Sequence, residues 1–270
     1  MIPRTYLSSL LLVVAALAPA CDEPKKDAVA DAAPKIAPAM ASAITAATPS
    51  AAPVASSAPT APRKKAADCP SGASVEFADP ALETEVRRKL SKDAGAVTKA
   101  ELATIKSLNL TIKPVNDLDI CVFPHLTNIK DLFLGPGDLD DLSPIATLFN
   151  LTTLRASVSK VRDIRPLEKL TRLDRLDLGR TQVADLSVLS NLVALTELEI
   201  DDTEVSDLTP LKNLKILEKL SIKRTRVKDL SPLKDLKKLR FLWIEGAPIE
   251  DTNVLSGLVS NGLHLVRAGK

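Results

Sequence analysis

Residues 192–213 read LVALTELEIDDTEVSDLTPLKN, and the same spelling returns every 22 residues on both sides of them. Leucine holds one column of the pattern at Leu126, Leu148, Leu170, Leu192, Leu214, Leu236 and Leu258. Aspartate holds another at Asp141, Asp163, Asp185, Asp207, Asp229 and Asp251. A fixed period of this size marks stacked units, each of which buries its apolar face only against its neighbours. In the copy quoted above, Leu192, Leu195, Leu198 and Ile200 supply that face. Asp207, Leu208, Thr209 and Pro210 spell a turn, with the carboxylate placed to accept backbone N–H bonds.

The unit L-x-x-L-x-x-L-x-[LI]-x-x-T-x-V-x-D-L-S-P-L-x-x resembles the leucine-rich repeat, in the short bacterial form of the internalins, from about Leu108 to Leu265. The resemblance implies an α/β solenoid: a leucine-rich-repeat horseshoe with a parallel concave sheet, a convex side of 3-10 or irregular turns, and a helical N-terminal cap. It also implies a protein that binds other molecules without transforming them. Eight rungs are expected, with strand centres from Leu108–Leu110 and Leu132–Leu134 through Leu242–Ile244 to Leu263–Leu265. Extra residues fall between Asp117 and Leu126 and near Gly262. Alternation along each strand sends the leucines inward and their neighbours onto the concave face.

Residues 67–107 read as the cap and 108–270 as the solenoid. Asp79-Pro80 opens a helix whose Leu82, Val86 and Leu90 share one face. Thr98 and Glu101 form a capping box at the start of a second, shorter helix. Cys69 and Cys121 are a candidate disulfide that would pin cap to solenoid, although spacing alone does not bring them together. With no neighbouring cysteine or histidine they do not make a zinc site.

The first 20 residues carry Arg4, an apolar run from Leu7 to Leu17 and small residues at Ala18-Pro19-Ala20, the layout of a secretory signal peptide. Leu17 to Cys21 looks like a bacterial lipobox, which implies acylation of Cys21, with Ala18 standing where that motif favours leucine. Ordinary cleavage at the same place is the alternative. Lipidation leaves two cysteines free to pair. Residues 21–66, rich in Ala, Pro, Ser and Thr, have no apolar period and read as a disordered tether. Such a tether would reach roughly 140 Å if stretched toward polyproline II. The expected location is therefore outside the cytoplasm, lipid-anchored to a bacterial envelope membrane, on its periplasmic side or at the cell surface.

Seven of the 36 Lys and Arg residues and four of the 34 Asp and Glu residues precede residue 67, so the rest of the chain is close to neutral. That balance offers no pull toward nucleic acid. No catalytic motif appears, and the two histidines, His125 and His264, belong to opposite ends of the repeat. The aspartate column does not gather the six or more oxygens that calcium requires. No catalytic residue, metal ligand or cofactor is assigned.

Aromatic residues make up only 3% of the chain, which gives weight to those on the concave face. Phe241, Trp243 and Glu245 are expected from the seventh strand, with His264 beside Trp243 on the eighth. Lys219, Lys223, Glu199 and Arg155 complete the candidate partner-binding set. Phe133, five rungs away or about 24 Å, reads as a separate patch. Glu197, Glu199 and Asp201 stand between Arg175 on one side and Lys219 and Lys223 on the other, and are expected to form cross-strand ion pairs with them. A protein partner is the first expectation and a glycan or cell-wall polymer the second. Self-association through the C-terminal strand edge is a further candidate.

Overall fold

The computed structural model describes residues 65–267. The signal segment 1–20, the lipidation candidate Cys21 and the tether as far as residue 64 lie outside the described residues, as do residues 268–270.

The cap begins with an antiparallel ribbon of β1 (Ser74–Val75) and β2 (Val97–Thr98), which encloses helix α1 (Pro80–Leu90) in sequence. Strands of two residues leave no alternation to read, so this ribbon is invisible in the sequence. The Asp79 carboxylate accepts the Ala81 N–H at 2.8 Å, and Pro80 occupies the first turn, where its missing N–H costs nothing. Leu82 and Val86 are buried, and the helix stops at Ser91, whose φ of 50° is left-handed. Helix α2 (Lys99–Leu102) is one turn held by its capping box: Thr98 N–H donates to Glu101 at 2.7 Å and Glu101 N–H to Thr98 Oγ1 at 3.2 Å. Cys69 and Cys121 are joined by a disulfide, with Cα atoms 5.3 Å apart, between the segment ahead of β1 and the first loop of the solenoid.

Eight three-residue strands follow: β3 (Ser107–Asn109), β4 (Asp131–Phe133), β5 (Thr153–Arg155), β6 (Arg175–Asp177), β7 (Glu197–Glu199), β8 (Lys219–Ser221), β9 (Phe241–Trp243) and β10 (His264–Val266). They form one parallel sheet in chain order. The central leucines from Leu108 to Leu242 lie opposite one another in register and are almost wholly buried. Full burial of one such side chain contributes about 1.5–3 kcal/mol. The first seven strands start one residue earlier than their apolar spelling suggests. The second apolar residue of each still bonds to the next rung, as Leu134 N–H does to Arg155 O at 2.9 Å, but just past the strand end.

The convex side is built from short 3-10 turns such as Ser143–Ile145, Arg165–Leu167, Thr209–Asn213 and Ser231–Leu233. The aspartate column holds them. Oδ1 of Asp141, Asp163, Asp185, Asp207, Asp229 and Asp251 each accepts the N–H two residues on, at 2.7–2.9 Å. Thr181, Thr203 and Thr225 donate their hydroxyls to the carbonyl three residues back, at 2.7–2.8 Å, inside the turn that leaves each strand. The same turn puts Val158, Arg180, Asp202, Arg224 and Gly246 at positive φ. The longer first rung is fitted by Gly135 and Gly137, where a Cβ would come within 2.3 Å of Lys113 O and 2.2 Å of Val115 O respectively.

At the other end a short helix, α3 (Ser256–Ser260), precedes β10. The additional residue near Gly262 (φ 94°) is absorbed in the turn between them. Leu265, not Leu263, therefore takes the rung position opposite Leu242. This shifts the expected register of the final strand by two residues, which leaves each side chain on its expected face but opposite a different neighbour.

Candidate concave binding face

Two outward columns run across the sheet. One passes through Arg175, Glu197, Lys219, Phe241 and His264, the other through Phe133, Arg155, Asp177, Glu199, Ser221 and Trp243. A shallow groove of about 240 Å³ lies over them, with Phe133 and Trp243 both in its lining. The two aromatics therefore mark opposite ends of one groove and are not separate patches.

The slip at β10 rearranges the aromatic end. His264 lies opposite Phe241, while Val266 lies opposite Trp243. The Phe241 ring is the middle of a three-ring ladder, 5.7 Å from Trp243 and 5.2 Å from His264 between centroids, each pair 16° from parallel. Phe241 and His264 are exposed and Trp243 is half-buried. Exposed aromatic side chains of this kind suit stacking by a ligand group. Glu245 lies beyond the strand end, exposed, on the turn where its carbonyl accepts the Arg224 N–H at 2.7 Å.

Charges are largely paired. Lys219 Nζ lies 2.7 Å from Glu197 and Lys223 Nζ 2.9 Å from Asp201, the cross-strand partners expected. Arg175 departs from expectation and turns to Asp174 at 3.6 Å, while Arg155 reaches Asp177 at 3.1 Å. Asp201 is 5% exposed and also accepts the Ser221 hydroxyl at 2.6 Å and the Lys223 N–H at 2.8 Å. Burial of Asp201 and Ser221 is the feature sequence reading misses, because their repeat columns are occupied elsewhere by Gly179, Lys223 and Glu199. The Glu199 carboxylate makes no hydrogen bond or ion pair among the described residues. Burial pushes its carboxyl above the usual range, and the neighbouring Asp177 and Asp201 carboxylates add to that. On the far rim, Asp202 bonds Arg224, and both Arg224 and Arg180 hold its carboxyl below the usual range.

No cluster of three or more metal-ligating side chains occurs among the described residues, and no helix there is long and apolar enough to cross a membrane.

No family model matches the chain, and no curated protein matches it. Solved structures do. An internalin (inlF) of Listeria monocytogenes superposes with a TM-score of 0.65 at 33% identity, over 70% of this chain and 55% of that one. Internalin C2 of the same species gives a TM-score of 0.64 at 28% identity, over 71% of this chain and 94% of that one. A leucine-rich-repeat protein of Leptospira interrogans, at 19% identity and a TM-score of 0.57 over 62% of this chain and 44% of that one, shares the fold alone. This chain thus spans about half the length of the first internalin, 55% of it. The architecture is a leucine-rich-repeat solenoid of the internalin-like type.

Proposed function

We propose that this chain is a non-catalytic lipoprotein of the bacterial cell envelope, whose repeat module binds a protein partner through the concave face of its sheet. In this reading residues 1–20 direct export, Cys21 carries the lipid, residues 21–66 are the tether, 67–107 cap the stack and 108–270 bind. The observation that carries it is the open ladder of His264, Phe241 and Trp243 at one end of a charged groove. Large rings with exposed faces are the side chains most able to anchor a protein interface. The same ladder is the one feature that favours a glycan, since sugars stack on aromatic faces. The rest of the groove is ionic and suits a protein better.

The test is cross-linking capture from an envelope extract of the producing bacterium with the full chain, run beside the Phe241→Ala, Trp243→Ala double variant. The reading expects specific partners with the first and their loss with the second. Equal capture by both removes this face from consideration. Mass spectrometry of the mature N-terminus should show acyl chains on Cys21, and an unmodified thiol there ends the lipoprotein part. The reading includes self-association through the outer side of β10, the C-terminal of the two edge strands of the eight-stranded sheet. A full chain that sediments as a monomer at high concentration removes that part alone.

A further inference from the structure

We propose that the groove contains a slot for one positively charged side chain of the partner, an arginine above all, between Glu199 and Trp243 with Ser221 as its floor. This rests on the reading of the concave face as the binding surface and adds the chemistry of what that surface selects.

The middle of the face holds five carboxylates and four cations. Asp174 is taken by Arg175, Asp177 by Arg155, Glu197 by Lys219 and Asp201 by Lys223. Glu199 is left over. Its two neighbouring cations, Arg155 and Lys223, are turned to other carboxylates, and Arg155 also donates to Ser157 Oγ at 3.0 Å. The Glu199 carboxylate is exposed at the groove and feels Lys223 and Arg155 only at a distance, with no ion pair of its own.

Glu199, Ser221 and Trp243 stand side by side on β7, β8 and β9. Ser221 is small and buried, and its hydroxyl is committed to Asp201, so nothing rises from the sheet between the carboxylate and the indole. Two strand spacings separate those walls by about 10 Å. A cation bonded to a carboxylate oxygen at about 3 Å and lying within about 6 Å of a ring centroid needs nearly that gap. A guanidinium fits better than an ammonium, because it is planar. It can stack on the indole with one face while its edge donates to Glu199. A partner carboxylate or phosphate would instead meet Asp177, Glu199 and Asp201 together.

Trp243 is the chain's sole tryptophan, so its emission reports on the slot. The experiment titrates the full chain with a blocked Gly-Gly-Arg-Gly-Gly peptide and with the same peptide carrying citrulline, which keeps the shape and removes the charge. The arginine peptide should change the emission saturably and bind about ten-fold more tightly than the citrulline one, the ordinary margin of one charge-assisted contact. Glu199→Gln should make the two curves coincide without lowering the melting temperature, whereas Glu197→Gln should keep the preference. Equal binding of the two peptides to the native chain overturns the proposal, and so does a preference that survives Glu199→Gln or depends equally on Glu197. In the capture experiment, loss of partner with Glu199→Gln supports the slot. Capture kept by Glu199→Gln but lost with Phe241→Ala, Trp243→Ala sinks the slot and leaves the concave reading standing. Capture kept by every variant sinks both.

Discussion

Val158 carries a β-branched side chain on left-handed backbone, φ 58°, in the column that the last rung fills with Gly246. For an L-residue other than glycine this conformation costs about 1–2 kcal/mol, and β-branching places Val158 at the upper end. The side chain is 41% exposed, so little burial offsets the strain. Val158→Asn should therefore raise the denaturant midpoint, by about 1 kcal/mol in stability, since asparagine tolerates this region. A midpoint that falls would mean the valine contacts outweigh the strain. Glu199 illustrates the opposite balance: its raised carboxyl pKa means that ionisation works against the folded state, so removing the charge costs the fold nothing.

Elements of this fold are short, and each depends on its ends. Helix α2 has four residues, too few to persist by propensity, and Glu101 holds it through the Thr98 N–H and hydroxyl and through Lys92 Nζ at 2.8 Å. The Lys92 ammonium is the first cause of the drop in the Glu101 pKa from its ordinary 4.5 to about 2, followed by the bonds from Thr98. A depressed carboxyl stabilises the folded state above its unfolded pKa and loses that contribution as pH falls through the folded one. Cap stability should accordingly decline between about 4.5 and about 2, the window of that shift. Amide exchange in α2 should rise across it, and Glu101→Gln should abolish the dependence. The 3-10 turns follow the same rule, each secured by one aspartate, which is why the column repeats so faithfully without any ligand to select it.

Across the whole solenoid, stability is a sum of neighbour-to-neighbour burials, so a local loss stays local. The Cys69–Cys121 disulfide closes a loop spanning 52 residues, worth about 4 kcal/mol by loop entropy. Replacing both cysteines by serine should lower the unfolding midpoint and raise amide exchange in the cap and first rungs, while β7 to β9 keep their protection. Uniform deprotection would mean the stack melts as one unit. The period of 22, the inward leucines, the two cap helices and the structural role of the aspartates were legible in the sequence, because each follows from local chemistry repeated in register. Three things were not. The ribbon of β1 and β2 is too short to show a pattern, and the meeting of Cys69 with Cys121 depends on how cap and first loop fold back. The place of His264 turned on where one additional residue near Gly262 was absorbed, which only packing against the preceding rung decides. That choice of register built the ring ladder on Phe241, just as the competition among neighbouring cations left the Glu199 carboxylate without an ion pair. The sequence by itself determined which face of each strand is buried, since that is a matter of period. Tertiary structure decided which exposed side chains meet, since that depends on register between rungs and on which charges were already taken.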